Sequence, residues 1–269
     1  MTWMTALPLA VKAAILGVVE GITEFLPVSS TGHLIVAGDW LGWTGDDAKT
    51  FEIFIQLGAI LAVVWIYRAR LLAEVRGIGR DAASNVFAAS LLIAFLPAAV
   101  VGLLLHHWIT AHLFSPQVVA WALLIGGILI LVIERFHRVP TVTDATMVPP
   151  RPALGTGLAQ VLSLIPGTSR SAATILGGYS CGLTRTAATE FSFFLAIPVM
   201  FAATLYELWK GRHGLGGVDV VPFVVGFLTA FVSAVIVVKA FLRSVSGHSF
   251  TVFAWYRIAF AAFLLWLYR

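Results

Sequence analysis

Six apolar stretches, at about 50–67, 84–105, 116–134, 187–209, 219–241 and 251–268, are each long enough to cross a lipid bilayer as a helix. Such a crossing takes roughly 20 predominantly apolar residues, because a helix rises about 1.5 Å per residue through a hydrocarbon layer about 30 Å thick. The rest of the chain matches: of 269 residues 59% are hydrophobic and 11% charged, and mean hydropathy is +0.95. Backbone groups in hydrocarbon must be satisfied within the protein, so segments of this length span as helices. The expected fold class is an all-α polytopic membrane protein with six transmembrane helices.

Two further regions, about 8–45 and 153–184, are apolar at both ends but interrupted in the middle. The interruptions are FLPVSSTGH (Phe25 to His33) and LIPGTSRS (Leu164 to Ser171), each with a proline and several hydroxyls. Neither half of either region is long enough to cross alone. Irregular chain at membrane depth is tolerated only where protein buries it or where it lines a wet cavity. Both regions are therefore expected to be re-entrant helical hairpins with their polar tips inside the bilayer.

The 17 Lys+Arg against 13 Asp+Glu leave a net charge of +4, and the basic residues cluster in short segments between spans. That distribution is a topology signal and argues against nucleic-acid binding. Arg68, Arg70, Arg76 and Arg80 follow the first span; Arg135, Arg138 and Arg151 follow the third; Arg243 follows the fifth. Those three loops are expected to be cytoplasmic, with Lys210 and Arg212 a minor outward exception. The first hairpin then enters from the outer face and the second from the cytoplasmic face, and the tips meet near the midplane. Lys12 inside the first apolar run argues against a cleaved signal peptide. The single cysteine, Cys181, excludes an intramolecular disulfide and a multi-cysteine metal site.

The two halves resemble one another. GVVEGITEFLPVSSTGH from Gly17 aligns with GLAQVLSLIPGTSRSAAT from Gly157, which sets Glu20 on Gln160 and, after a one-residue gap, Pro27 on Pro166. KTFEIFIQLGAI from Lys49 likewise matches ATEFSFFLAIP from Ala188. Residues 1–140 and 153–269 are thus expected to be two repeats of one hairpin and three spans, joined by a cytoplasmic linker at 141–152. An odd number of crossings per repeat inverts the second copy.

The polar residues of the interrupted regions form a constellation. Glu20 and Glu24 are one turn apart on one helix face, where two like charges call for a cationic partner. Ser29, Ser30 and Thr31 stand at the start of the next helix and Gly32 keeps its backbone approachable; such a hydroxyl-rich N-terminus suits an anion. His33 follows, suited to proton transfer, nucleophilic attack or a plain hydrogen bond. The second tip offers Gly167, Thr168, Ser169, Ser171 and Thr174 around Arg170, whose guanidinium can clamp a phosphate or neutralise the carboxylates. Glu52, Gln56 and Glu190 are read as braces for the tips, and His106, His107 and His112 as solvent-facing residues of a connecting loop.

EGITEFLPVSSTGH at Glu20 to His33 and PGTSRSAAT at Pro166 to Thr174, flanked by FEIFIQLGAI and EFSFFLAIP, resemble the undecaprenyl-diphosphate phosphatase family, also called bacitracin resistance proteins. The resemblance covers essentially the full chain. It departs at Ala172, where the family usually has glycine, which bears on the course of the second tip. The resemblance implies hydrolysis of undecaprenyl diphosphate to undecaprenyl phosphate and inorganic phosphate, recycling the lipid carrier of cell-wall synthesis and conferring bacitracin resistance. It further implies a divalent cation, Mg²⁺ or Ca²⁺, and a multi-pass protein of the bacterial cytoplasmic (inner) membrane whose site opens to the outer, periplasmic face.

Glu20 and Glu24 are the expected cation ligands, since hard cations prefer carboxylate oxygens. The attacking group is Ser30, His33 or a metal-activated water, with Ser30 assisted by His33 preferred. Membrane lipids and a second copy of the chain, as a homodimer, are the expected partners beside the substrate. Two rivals stand against hydrolysis by this family. A lipid-phosphate flippase could be built on the same inverted repeat. A type-2 phosphatidic acid phosphatase is suggested superficially by STGH, but its Lys/Arg-Pro motif and later histidine have no matching context here.

Overall fold

A computed structural model describes residues 2–136, 139–211 and 220–269. Arg138, Arg212 and the side chain of Lys210, which entered the charge count, lie outside what is described. Every regular element is a helix: α1 (Thr2–Thr5), α2 (Leu9–Thr23), α3 (Ser30–Leu41), α4 (Asp46–Gly77), α5 (Ala82–His112), α6 (Pro116–Arg135), α7 (Pro150–Val161), α8 (Arg170–Ser180), α9 (Arg185–Gly211), α10 (Val220–Val245) and α11 (Thr251–Leu267). A single turn of 3₁₀-helix, Leu162–Leu164, extends α7. Among the described residues there is no strand, only an isolated bridge between Val142 and Leu183.

Among the described residues five helices, α4, α5, α6, α9 and α10, are long and apolar enough to cross a membrane, while α11 is a shorter apolar helix of 17 residues. Their outward faces carry large apolar side chains at helical spacing. Trp121, Ile125, Ile128 and Val132 on α6, and Val221, Val224, Leu228, Val232 and Ile236 on α10, are all exposed. A contiguous apolar exterior of that kind is compatible with lipid and not with water. The chain is a polytopic helical membrane protein.

Two boundaries differ from the hydropathy reading. Helix α4 runs ten residues past position 67, to Gly77, so Arg68, Arg70 and Arg76 lie on the helix and not in a loop. A charge ends an apolar stretch, yet Arg and Glu are good helix formers and the backbone continues. Likewise α5 extends to His112, which puts His106, His107 and His112 on its last turns and not in a connecting loop. His106 there stands 3.9 Å from the Glu207 carboxylate of α9.

The hairpin regions break where the prolines and hydroxyls predict. Ser29 before α3 and Ser169 before α8 have nearly the same backbone, φ 70 and ψ 101 against φ 71 and ψ 117. They are the two non-glycine residues at positive φ among the described residues. Such a conformation costs on the order of 1–3 kcal/mol and persists only where the surroundings enforce it. The two serines are 140 positions apart (169 − 29 = 140), the same offset that relates Glu20 to Gln160, so the structural register closes the one-residue gap of the sequence alignment.

Packing follows that offset too. Helix α2 lies against α10 so closely that a Cβ on Gly17 would fall 2.3 Å from the Gly226 carbonyl oxygen. Helix α7 lies against α5, where a Cβ on Gly157 would fall 2.5 Å from the Ala94 carbonyl oxygen. Small residues bring membrane helices to backbone contact, and here each broken helix is seated on a long helix from the other half of the chain.

The segment before α7 is held at the α8–α9 turn, with Thr141 and Val142 donating to the Gly182 carbonyl and Thr184 to that of Val142. Arg70 adds a bond to Asp144 at 2.8 Å. The Thr146 N–H first, with its hydroxyl and Arg70 behind it, holds the Asp144 carboxyl below the usual carboxylate range.

Candidate functional site

The broken ends of α2 and α7 bring their tips together. Glu24 closes α2 as its C-cap, its N–H bonded to the Glu20 carbonyl, and its carboxylate turns toward the start of α3 and across to α8. Ser30, the first residue of α3, donates its hydroxyl to Glu24 Oε2 at 2.6 Å. Arg170, the first residue of α8, donates through Nη2 to Glu24 Oε1 at 3.2 Å, with Nε at 3.4 Å. Ser30 and Arg170 are themselves related by the 140-residue offset, so one carboxylate joins the leading residues of both tip helices. The other end of the guanidinium is fixed by a bond from Nη1 to the Ser192 carbonyl at 3.3 Å.

The second tip's hydroxyls mostly hold the junction together. Ser171 donates to the Leu26 carbonyl of the first tip at 2.8 Å. Its oxygen lies 2.9 Å from that of Ser169, which also caps α8 by accepting from the Ala172 N–H. Ala172 therefore keeps an ordinary N-terminal turn. Thr174 donates to the Arg170 carbonyl at 2.8 Å and sits 2.5 Å from the Ser192 hydroxyl. Gly167 has φ 93, and a Cβ there would lie 2.5 Å from the Val119 carbonyl of α6. Thr168 shapes the turn through its N–H to the Ile165 carbonyl.

A serine, a carboxylate and an arginine thus meet at paired helix N-termini, a set of groups chemically suited to an anion. The family model for bacitracin resistance protein BacA matches residues 13–263. The chain belongs to this family. It is similar to the undecaprenyl-diphosphatase of Aromatoleum aromaticum, 52% identical over 259 residues covering 96% of this chain and 94% of the relative. The undecaprenyl-diphosphatase of Nitrosomonas europaea is 54% identical, with 98% and 95% covered. Undecaprenyl-diphosphatase 2 of Rhodospirillum rubrum is 55% identical, with 96% and 95% covered.

Within this BacA-family chain the remaining expected residues divide. Glu20 is fully buried, and neither carboxylate oxygen has a hydrogen-bond partner in the protein. Glu24 and Glu52 are the like charges that bear on it and Arg170 the opposite one. Ser29 is buried with its hydroxyl unpartnered, while Thr31 is half-buried in the first turn of α3. His33 is not bonded to either glutamate. Its Nδ1 faces the Ser29 carbonyl at 2.7 Å, so Nδ1 carries the proton, and its Nε2 faces the Tyr256 hydroxyl at 2.5 Å. Glu190 does not brace a tip, because it accepts from the Tyr67 hydroxyl at 3.0 Å and faces Arg70. Ser192, one half-turn further along α9, does that work.

Arg257 of α11 belongs to no motif in the sequence. It is fully buried, and its guanidinium donates to four carbonyls: Pro27 and Gly167, one on each tip, and Ala122 and Leu123 of α6, all at 3.2–3.3 Å. Pro27 and Gly167 again differ by 140 (167 − 27 = 140). Gly126 makes the space, since a Cβ there would lie 2.2 Å from Arg257 Nη2. The signal was available, because an ionisable residue within an apolar helix of a membrane protein is a functional candidate by default.

Proposed function

We infer that this chain is an integral membrane phosphatase that hydrolyses undecaprenyl diphosphate to undecaprenyl phosphate and inorganic phosphate, the activity for which its relatives are named. The observation that carries the chemistry is Glu24 bonded at once to the Ser30 hydroxyl and the Arg170 guanidinium. We assign Ser30 as nucleophile and Glu24 as its base. Ser30 Oγ attacks the terminal phosphorus, its proton passes to Glu24, and the bond from that phosphorus to the bridging oxygen breaks, releasing undecaprenyl phosphate. Water then attacks the phosphoserine, the phosphorus–Oγ bond breaks, and Ser30 recovers a proton as inorganic phosphate leaves. Arg170, with the N-terminal amides of α3 and α8, offsets charge on the transferring phosphoryl oxygens. His33, donating to Ser29 and held by Tyr256, positions the first turn of α3.

The donor set fits a divalent cation, Mg²⁺ or Ca²⁺. A fully buried carboxylate with two unpartnered oxygens, as at Glu20, needs a proton or a cation to be tolerated. Among the described residues no group of three or more His, Cys, Asp or Glu could hold a metal. Glu20 and Glu24 would therefore hold it together with substrate phosphate, the usual arrangement for Mg²⁺. When bound, the ion supplies charge neutralisation for the diphosphate. Purified protein in detergent should release one phosphate per undecaprenyl diphosphate, stop on addition of EDTA and resume with added Mg²⁺ or Ca²⁺. Absence of release at saturating cation removes the phosphatase assignment, and turnover indifferent to EDTA removes the cation.

Six spans with two re-entrant hairpins, α2–α3 and α7–α8, in an inverted repeat are the arrangement that best accounts for the shared 140-residue register and the crossed seating on α10 and α5. In the bacterial cytoplasmic membrane, with basic loops inside, the site opens to the periplasm, where the lipid carrier is recycled for cell-wall synthesis. In a Cys181→Ser background, a membrane-impermeant thiol reagent on intact cells should label Thr44→Cys, an exposed position between α3 and α4. It should miss exposed Arg76→Cys until the membrane is opened. The reverse pattern inverts the orientation.

A further inference from the structure

Several seams between helices are closed by backbone contact. Besides α2 against α10 and α7 against α5, a Cβ on Gly58 of α4 would lie 2.5 Å from the Phe227 carbonyl of α10. On α6, a Cβ at Gly127 would lie 2.9 Å from the Ala254 carbonyl of α11. A lipid chain does not part helices packed that way without displacing backbone. The contact between α3 and α11 is made by side chains, with rings along its length and the Tyr268 hydroxyl bonded to Asp39 at its far end. His33 stacks on Phe260 with centroids 4.3 Å apart, and Trp40 meets the edge of Phe263 at 6.3 Å.

These rings continue along α11. Tyr256 and Phe260 stand 6.0 Å apart at 22°, Phe260 and Phe263 6.2 Å apart at 19°, and Phe263 and Trp266 6.2 Å apart at 33°. The row begins at the site, where the Tyr256 hydroxyl meets His33 Nε2, and runs about 15 Å along the helix. Both ends of the row are open to the side, Tyr256 at 45% and Trp266 at 63% exposed, with Phe260 and Phe263 half-buried between them. Side chains turn between rotamers far faster than packed backbones separate, so a ring-lined seam opens to a slender chain.

We propose that the α3–α11 seam is the lateral entrance for the substrate, with the α11 aromatic row as the track for its polyprenyl tail. The proposal rests on the diphosphatase assignment and commits to one occupant, the tail of the lipid whose head is held at the tips. Continuity argues for it: the same histidine touches both the tip and the first ring of the row. Flat isoprene units carrying methyls and double bonds pack on ring faces, and each ring covered adds apolar burial.

Two experiments test this. In detergent, kcat/KM is measured for undecaprenyl diphosphate and for farnesyl diphosphate, whose short tail ends near the first rings. For Phe263→Ala with Trp266→Ala, the ratio of the two constants should fall about tenfold, through KM for the long substrate. A ratio within twofold of the unsubstituted protein's makes these rings lipid-facing only and overturns the track. Failure of the unsubstituted protein to hydrolyse either substrate counts against the diphosphatase assignment instead. The second experiment needs no substitution. A long prenyl diphosphate with a benzophenone mid-tail should label peptides of α3 and α11 on illumination, and labelling confined to α4, α9 or α10 overturns the entrance.

Discussion

Arg170→Ala and Glu24→Gln each lower kcat for phosphate release from undecaprenyl diphosphate by about 10³-fold or more, while the protein inserts and purifies as before. The two substitutions act on one bonded unit. Glutamine at position 24 keeps the volume, but it offers one acceptor oxygen where the carboxylate offers one to Ser30 and one to Arg170, and it cannot take up the Ser30 proton. Alanine at position 170 removes the guanidinium that spans Glu24 and the Ser192 carbonyl, the cationic side chain that the proposed mechanism places on the transferring phosphoryl group. Retention of the fold is expected because the junction keeps its other ties, Ser171 to the Leu26 carbonyl and Ser169 capping α8. Turnover within tenfold of normal in either variant takes that residue out of the chemistry.

Arg257→Met is expected to lower kcat about 100-fold with little change in KM, with some loss of thermal stability. Methionine fills the space and removes the cost of burying the charge, but it leaves the Pro27 and Gly167 carbonyls without this donor, at about 1–3 kcal/mol for each buried acceptor left unpaired. What methionine cannot replace is the geometry. Arg257 is the group that holds the equivalent carbonyls of both tips, Pro27 and Gly167, against the same helix, and displacement of reacting groups by about 1 Å costs on the order of 10²-fold in rate. Arg257→Lys keeps the charge without the fork and should recover less than tenfold of the loss. Gly126→Ala, which crowds the guanidinium at 2.2 Å, should lower kcat in the same direction but less. Full recovery by lysine would mean that the charge matters and the clamp does not.

What could be read from sequence followed the kind of signal. The long helices were legible because the bilayer demands one composition over many residues, and the broken ones because proline and hydroxyls interrupt that composition. Helix ends were not, since hydropathy stops at Arg68 and at His106 whereas helical hydrogen bonding does not. Glu20, Glu24, Ser30 and Arg170 stood out as polar residues grouped at interruptions. Glu24 as the bond between both tips was not legible, because position 24 carries no mark of which oxygen meets which donor. Ser192 was hidden inside an apolar span whose other residues read as packing. Arg257 was hidden for a related reason: basic residues between apolar stretches signal orientation, and this one lies inside an apolar helix. The one-residue gap that aligned the two prolines also concealed that Pro27 and Gly167 are the equivalent positions.

The proposed function requires the two tips, one from each half of the chain, to work as one catalytic unit. The direct measurement is a double-mutant cycle in kcat for phosphate release with Ser30→Ala on the first tip and Arg170→Ala on the second. Residues of one unit are strongly non-additive, so the double variant should be about as slow as the slower single variant. Rate losses that multiply across the cycle would mean that the tips act independently, and would contradict the account.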